Sequence, residues 1–278
     1  MTQFRYAISN GVFEGWPFGD AVKAVRTAGY TGLEIAPRVL SEDPASLPPG
    51  TRREYRSIME SEGLEFVGLH WLLLAPKWLH VTTADTSLRE RSWDYVRRLV
   101  DLCADLGPGG VVVFGSAKQR GTTAGITRAE AERHLAGSLA KLSPHAARKG
   151  ITLLLEPVSP DQTDVVTSLD RAAAIVREIA HPAVRTMFDV HNAVAEKEAH
   201  GALVERHFEL IRHVHLNELD GRHPGAGSYD FKPLLEVLRR RGYTGWISME
   251  VFDLTPGAEK VAHNSLRYIE AEATAATS

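Results

Sequence analysis

The chain has 278 residues, of which 44% are hydrophobic, so it is long and apolar enough to bury a large core. Its 32 basic and 35 acidic residues give a formal net charge of -3. This balance excludes the basic excess with which a whole protein binds nucleic acid or an anionic membrane, and it favours a small neutral or weakly anionic ligand.

The cysteine content and the first residues bear on the compartment. Cys103 is the only cysteine and lies in a predicted amphipathic helix, so we expect it to pack in the core, without disulfides and in a reducing compartment. The segment MTQFRYAISNG lacks a basic stretch followed by a long apolar one, and no run of about eighteen apolar residues occurs. These features predict a soluble, cytoplasmic protein.

Short apolar runs recur along the chain and predict strands. They are rich in Val, Ile, Leu and Phe without polar alternation, as expected for parallel strands covered on both faces. The eight runs are FRYAIS (4–9), GLEIA (32–36), EFVGLH (65–70), GVVVFG (110–115), ITLLLE (151–156), VRTMFD (184–189), HVHLN (213–217) and WISMEV (246–251).

Helical patterns lie between the apolar runs. The segments 87–107 and 127–150 each open with an S/T-x-x-E capping box, at Ser87/Glu90 and Thr127/Glu130. Glycines are expected to close several helices in a left-handed turn just before the next strand. These are Gly29, Gly63, Gly107, Gly150 and Gly242.

This alternation predicts an α/β fold, a single (β/α)8 TIM barrel built by residues 1–278 as one domain, since such barrels span about 250 residues. A doubly wound open sheet is the alternative, but no G-x-G-x-x-G follows the first strand. No linker rich in Pro, Ser or Gly divides the chain.

Aromatic residues after the first and third runs have a functional and a packing interpretation. Phe13, Trp16 and Phe18 either form an apolar lid over a substrate or pack as a cluster. His70 and Trp71 either hydrogen-bond and stack on a sugar at the mouth of the barrel, or Trp71 packs under a helix. After the fourth run, Lys118, Gln119 and Arg120 either bind a phosphate or carboxylate or form a solvated basic loop.

Four consecutive runs end in groups that bind metal ions, namely Glu156, Asp189, His215 and Glu250. Active sites of parallel barrels lie at the carboxyl ends of the strands, so we expect these groups to converge. Each alone could cap a helix or pair with an arginine, but three converging carboxylates repel one another unless a cation lies between them. The oxygen-rich set predicts Mn²⁺, with Mg²⁺ or Co²⁺ as alternatives. His213 is expected to face the helices, on the side of the strand opposite His215.

Longer motifs around these four residues resemble the xylose isomerase-like barrels, in particular the sugar phosphate isomerase/epimerase group that includes the ketose 3-epimerases. The resemblance extends from about Phe4 to the end of the last strand. Its most specific segments are LEPVS (155–159), FDVHN (188–192), HVHLNE (213–218), PGAG (224–227) and GYTGWISMEVF (242–252).

The resemblance carries specific implications for the site. It implies that the four strand-end residues hold one divalent metal, and that Glu156 and Glu250 also move protons. It further implies that Arg222 and the PGAG turn form part of the substrate rim. Members of the group form dimers or tetramers, which we therefore expect of this chain.

Elementary chemistry supports the same role. Removal of a proton from carbon next to a carbonyl is slow unless the resulting enediolate is stabilised, and a metal ion bound by the substrate oxygens supplies that stabilisation. Two carboxylates on opposite sides of the carbon allow removal from one face and return to the other. The sequence therefore predicts a metal-dependent sugar isomerase or epimerase that acts on a ketose or keto-sugar.

The chain departs from the epimerase pattern at three predicted substrate contacts. The epimerases commonly carry a histidine three residues after the sixth-strand aspartate, whereas here the nearest is His191, two residues away. They often carry a glutamate a few residues past LEP, where this chain has the neutral Gln162. Arg222 is shifted by one residue within its loop. With His70, Trp71 and Lys118, these residues make up the predicted substrate contacts.

One alternative is an apurinic endonuclease-like phosphodiesterase, because the same superfamily includes enzymes that bind three zinc ions and cut abasic DNA. The segment HLNELDGRH (215–223) resembles that group. However, a D-x-H motif is expected after the seventh strand, and Asp220 and His223 are three residues apart. The fourth strand ends without a histidine, and the acidic balance does not suit DNA.

Two further alternatives keep the barrel. A lyase or dehydratase that acts on a keto-sugar or keto-inositol would begin with the same proton abstraction, so the sequence does not separate it from an epimerase. A barrel that only binds a sugar, as a sensor or subunit, is disfavoured because all four predicted ligands are present.

Overall fold

The computed structural model describes residues 4–276, in which eight strands form a closed barrel. Each strand runs parallel to the next, and the last strand pairs with the first, so the predicted (β/α)8 barrel is confirmed. The strands are β1 (Arg5–Ser9), β2 (Gly32–Ile35), β3 (Glu65–Leu69), β4 (Val111–Phe114), β5 (Thr152–Leu155), β6 (Val184–Asp189), β7 (Ile211–Leu216) and β8 (Trp246–Met249).

The helices connect the strands. They are α1 (Phe18–Thr27), α2 (Pro37–Leu40), α3 (Pro49–Ser61), α4 (Thr86–Leu106), α5 (Ala117–Arg120), α6 (Arg128–Arg148), α7 (Leu169–Ile179), α8 (His200–His207), α9 (Lys232–Arg240) and α10 (Ala258–Ala275). Short 3₁₀ turns lie at Asn10–Phe13, Pro44–Ser46 and Phe208–Leu210. Of the predicted domain 1–278, residues 1–3 and 277–278 lie outside the described residues.

The main core lies between the barrel and the helices. Strand residues such as Val112 and Leu153 pack there against helix residues such as Leu99 and Leu139. Cys103 is buried in this layer as a free thiol, as predicted. Among residues 4–276, no helix combines the length and the apolar character that a membrane crossing requires.

The inside of the barrel is divided into an apolar half and a polar half. Side chains two residues apart on a strand share a face, so the residues that precede the predicted ligands by two also point inward. On one side, two of them, Leu154 and Met187, form a separate small cluster with Val113 of β4. On the other side, β1, β2, β7 and β8 carry buried polar residues that point inward, namely Ser9, Glu34, His213, His215 and Ser248.

Strand register brings the polar residues side by side. Asp189 lies opposite His215, and His215 lies opposite Ser248. Ser9 lies opposite Glu34 on the neighbouring pair of strands. The pairing of β2 with β3 shifts register between Leu33 and Glu34, as in a β-bulge, a feature that re-aims side chains near barrel rims.

Of the two predicted capping boxes, one is confirmed and one is wrong. Thr127 and Glu130 form the reciprocal capping box at the start of α6. At α4, the helix begins at Thr86, before Ser87, and the carboxylate of Asp85 accepts the Leu88 N–H at 3.0 Å. An aspartate is as good an N-cap as serine, so the earlier residue takes the position.

Left-handed turns occur at four of the five predicted glycines, Gly29, Gly63, Gly150 and Gly242. The prediction is wrong for Gly107, whose φ of 175° is extended. Glycine is needed there because of a close approach, since a Cβ would lie 2.7 Å from the Cβ of Phe66.

Replacing the cap of α4 tests its assignment. Asp85→Ala should reduce the free energy of unfolding by about 1 kcal/mol, because the first turn loses a hydrogen-bond acceptor. The matched change Ser87→Ala, inside the helix, should alter it by less than about 0.5 kcal/mol. Urea denaturation of the metal-free proteins measures both, and an equal loss in the two variants would contradict the assignment.

Candidate active site

The structure brings the four predicted metal ligands together at the carboxyl ends of the strands. Glu156 and Glu250 directly follow β5 and β8, Asp189 ends β6, and His215 lies near the end of β7. All four are buried, and each offers one ligand atom within 4.8 Å of the other three. The convergence follows from the parallel barrel, which places successive strand ends around one mouth.

Two atoms of this set lack hydrogen-bond partners. His215 Nδ1 lies 3.1 Å from Glu250 Oε2 and 3.5 Å from Asp189 Oδ2, yet neither Nδ1 nor Glu250 Oε2 has a partner with hydrogen-bond geometry. Among residues 4–276, no lysine or arginine forms an ion pair with the three carboxylates. Buried polar groups left in this way, on an oxygen-rich set with one imidazole, fit a divalent cation.

Burial and mutual charge interactions shift the pKa values of the four groups. Burial, with the neighbouring Glu250 and Asp189 carboxylates, raises the pKa of Glu156 to about 8. Burial also raises the pKa of Asp189. For Glu250, burial acts in the same direction, but His215 and His70 outweigh it and hold the pKa below its usual range. For His215, burial acts to lower the pKa, and the surrounding carboxylates raise it well above its usual value.

Two asparagines that sequence reasoning missed hold the carboxylates in place. Asn192 donates its backbone N–H to Asp189 Oδ1 at 2.7 Å and its side-chain amide to Glu156 Oε1 at 2.9 Å. The Asn217 amide donates to Asp189 Oδ2 at 3.3 Å and to the Glu250 carbonyl at 3.1 Å. The available signal was the asparagine that closes each of the motifs FDVHN and HVHLN.

His70 lies beside the ligand set and does not line the cavity above it. Its Nδ1 is 3.0 Å from Glu250 Oε1 and its Nε2 is 2.6 Å from the Ser9 hydroxyl. The side chain is fully buried, so both ring nitrogens are engaged with protein atoms. This geometry makes His70 a support for Glu250.

The expectation for His213 is wrong. It faces the inside of the barrel together with His215, because side chains two residues apart point to the same face of a strand. Both imidazoles contact Glu34, a fully buried carboxylate on β2 that sequence reasoning missed. The signal was an acid in the middle of the apolar run GLEIA.

A cavity of about 390 Å³ lies above the ligand set. Glu156 and Glu250 reach it, and its lining includes three predicted substrate contacts, Trp71, Lys118 and Gln162. A groove of similar volume, about 410 Å³, lies between α1 and α10, but no candidate ligand lines it. Volume alone therefore does not identify the site, whereas the converging carboxylates do.

Trp71 forms an aromatic wall of the cavity. Its ring stacks on Phe252 with centroids 5.7 Å apart, and its backbone has a φ of 48°, which is uncommon for a bulky residue. Its ring also lies beside Gly11 of the first 3₁₀ turn, where a Cβ would be 3.0 Å from it. Lys118 is exposed and has no partner, and the Gln162 amide donates to Asn192 Oδ1 at 3.0 Å.

Gly115 makes room for the Glu156 carboxylate. It directly follows β4 and lines the cavity, and a Cβ at this position would fall on that carboxylate. Glycine is therefore required here because a side chain would not fit where β4 and β5 end side by side.

His191 and Arg222 lie outside the lining of the cavity. His191 Nδ1 is 2.7 Å from the Leu219 carbonyl, and its ring contacts Phe252. Arg222 donates to Asp220 Oδ2 at 2.7 Å and to the Ala226 carbonyl, so it closes its own loop. In the PGAG segment, Pro224 and Gly225 line a different groove, against α10.

Arg120 and Phe13, for which a functional and a packing role were considered, both pack inside the protein. Arg120 is buried and donates to the carbonyls of Glu156, at 2.6 Å, and Val166, at 3.2 Å, so it is not part of a solvated basic loop. Burial lowers its pKa to about 10. Phe13 is buried in the core and meets Trp16 edge to face, away from the cavity.

Comparisons with known proteins agree with this architecture. A family model described as xylose isomerase-like TIM barrel matches residues 22–272. Fructoselysine 3-epimerase of Shigella flexneri is 21% identical over 247 residues, which cover 84% of this chain and 85% of the relative. Inosose dehydratase of Serratia proteamaculans is 25% identical over 268 residues, which cover 84% and 82%.

One solved structure illustrates the likeness of fold. D-psicose 3-epimerase from Clostridium cellulolyticum, with D-tagatose, has a TM-score of 0.85 and 16% identity, and the match covers 97% of this chain and 99% of that one. At this identity the match shows the barrel fold.

Metal addition should stabilise the protein. In chelator-stripped protein, Mn²⁺ or Co²⁺ should raise the melting temperature, because an ion at a hundred times its Kd adds about 2.7 kcal/mol to the free energy of unfolding. Asp189→Asn should lose most of the shift. Glu132→Gln, at a buried carboxylate of α6 paired with Arg128 and Arg171, should keep it. Scanning calorimetry measures the shift, and no shift in the unaltered protein would count against the site.

Metal affinity should also depend on pH. Below pH about 8, Glu156 in the metal-free protein holds a proton that a bound ion must displace. The affinity should therefore rise with pH up to about 8, by at most about tenfold per pH unit for this proton. Titration calorimetry at several pH values measures the slope. Glu156→Gln should flatten it, and an unchanged slope in that variant would assign the proton to another group.

Proposed function

Because the chain belongs to the xylose isomerase-like TIM barrel family, and its candidate ligands surround one cavity, we propose that it is a divalent-metal-dependent sugar epimerase or isomerase. The observation that carries this proposal is the placement of Glu156 and Glu250. They come from β5 and β8, three strands apart, and both reach the same cavity and the same ligand set.

The substrate class is a ketose or keto-sugar. An ion held by Glu156, Asp189, His215 and Glu250, with Mn²⁺ proposed and Mg²⁺ or Co²⁺ as alternatives, would stabilise the negative charge of an enediolate. One glutamate removes the proton next to the substrate carbonyl, and the other returns a proton to the opposite face. Such positioned acid/base groups each contribute about 10² to 10⁴ in rate.

The cavity wall supports a sugar ligand. Trp71 and Phe252 line the cavity with apolar ring surface, and Gln162 and Lys118 line it with hydrogen-bonding groups. We propose Trp71, Lys118 and Gln162 as direct substrate contacts. For His70, His191 and Arg222, the hydrogen bonds described above favour support of Glu250 and of the surrounding loops.

Dehydration of a keto-sugar or keto-inositol is the second candidate. It is favoured by the similarity to inosose dehydratase across most of both chains. Both reactions begin with the same proton abstraction, so they differ in what leaves the substrate afterwards. Product analysis separates them, since elimination releases water and epimerisation does not.

A screen for proton exchange identifies the substrate. The Mn²⁺-loaded protein is incubated in D₂O with a panel of ketoses and keto-cyclitols, and NMR of the recovered compounds follows loss of the C–H signal. Exchange reveals the abstracted proton even where net turnover is slow. Absence of exchange with every compound, in protein that binds metal, would favour a binding role.

Glu156→Gln and Glu250→Gln test proton transfer on the substrate found in this way. Each should lower kcat by about 10² to 10⁴ while the fold and some metal binding remain, because an amide oxygen can coordinate but cannot take the proton. With substrate deuterated at the reacting carbon, the variant that keeps the abstracting base should still release label into water.

Glu132→Gln is the control and should keep full turnover. Turnover near that of the unaltered protein in both cavity variants would contradict the mechanism.

A further inference from the structure

Glu34 is a buried carboxylate for which the proposed reaction has no direct use. It lies on β2 with 0% exposure, and within residues 4–276 it has no lysine or arginine partner. Its contacts are the imidazoles of two histidines on β7 and the hydroxyl of a serine on β8. Burial of a carboxylate without a lysine or arginine beside it is costly, so we looked for the interaction that favours it.

The two nitrogens of His215 face different groups. Nε2 lies 3.2 Å from Glu34 Oε1 and 3.0 Å from Oε2. Nδ1 faces Glu250 and Asp189 and has no hydrogen-bond partner. An ionised carboxylate only accepts hydrogen bonds, so the contact with Glu34 places a proton on Nε2. A ring that keeps this proton can bind a metal ion only through the lone pair of Nδ1.

We propose that Glu34 is a positioning residue, which fixes His215 in the Nε2-protonated form so that Nδ1 points at the divalent ion. This inference rests on the proposed metal site and adds a second layer to it. A carboxylate behind a ligand histidine sets the orientation of the ring and raises its strength as a ligand, and loss of such a partner commonly lowers metal affinity about 10 to 100-fold.

Residues of β7 and β8 hold Glu34 in this position. Ser248 on β8 donates to Glu34 Oε2 at 2.7 Å, and it lies opposite His215 in the register of the sheet. His213 Nε2 lies 3.1 Å from Oε1, though without hydrogen-bond geometry. The register shift beside Glu34 turns β2 at this residue. Turning the carboxylate toward the cavity would therefore break its hydrogen bonds to His215 and Ser248.

Glu34 is not itself a ligand of a second ion. Ligand atoms of Glu34, His70 and His215 do lie within 4.8 Å of one another. However, His70 is already engaged by Glu250 and Ser9 through its two nitrogens. His215 Nε2 cannot donate to Glu34 and bind an ion at the same time. The contacts therefore favour a role in which Glu34 holds His215 for the proposed ion and binds no ion itself.

Glu34→Gln tests the proposal, with Mn²⁺ and Co²⁺ as probes. Affinity is measured by competition with a chromophoric chelator, and we expect a loss of about 10 to 100-fold. The visible spectrum of the Co²⁺ form should change as well, because the ring of His215 is no longer held. Glu132→Gln removes another buried carboxylate, on α6, and should leave both readouts unchanged.

Two further measurements keep the test decisive if Glu34→Gln folds poorly. Glu34→Asp keeps the charge but withdraws it by one methylene, so affinity should again fall. In the unaltered protein loaded with diamagnetic Mg²⁺, ¹⁵N NMR of labelled histidine should show the His215 proton on Nε2.

The outcomes separate the two proposals. Unchanged affinity in both Glu34 variants, or a proton on Nδ1, would overturn the role of Glu34 while the proposed function stands. Failure of the unaltered protein to bind any of the three ions would remove the proposed function, and this inference with it.

Discussion

Repulsion among three buried carboxylates is the constraint on which the rest of the site depends. Glu156, Asp189 and Glu250 meet where the strands end, and no lysine or arginine of residues 4–276 forms an ion pair with them. Asparagine amides, backbone N–H groups and imidazoles supply partial compensation, and Asn192 and Asn217, which follow β6 and β7, provide the amides. Only a cation compensates the charge in full, and it is also what the proposed chemistry needs.

The fold and the ligand set could be predicted because their signals are local. Apolar runs of four to six residues mark the strands, and the group that ends each run is next to it in sequence. Once the barrel is inferred, its topology predicts the site, because strand ends far apart in sequence must meet at one mouth. The positions of Glu156, Asp189, His215 and Glu250 needed no knowledge of side-chain packing.

Other features depended on partners that no local pattern shows. Glu34 contacts residues 181 and 214 positions away, and as one acid in an apolar strand it gave no sign of them. Arg120 looked like part of a basic loop, yet the carbonyls that it binds lie 36 and 46 residues further on. The error at His213 was different in kind, because the sequence contained the answer and strand periodicity, correctly applied, places it beside His215.

The unequal interior of the barrel has a consequence for how such a protein can change over generations. In the half lined by Val113, Leu154 and Met187, one aliphatic residue can replace another of similar volume at modest cost, so drift can proceed by single steps. In the half with Glu34, His215 and Ser248, hydrogen bonds link buried groups, so removing one group leaves another with an unpaired polar atom. Substitutions there should be strongly epistatic, so lineages that alter this half must change two or more positions together.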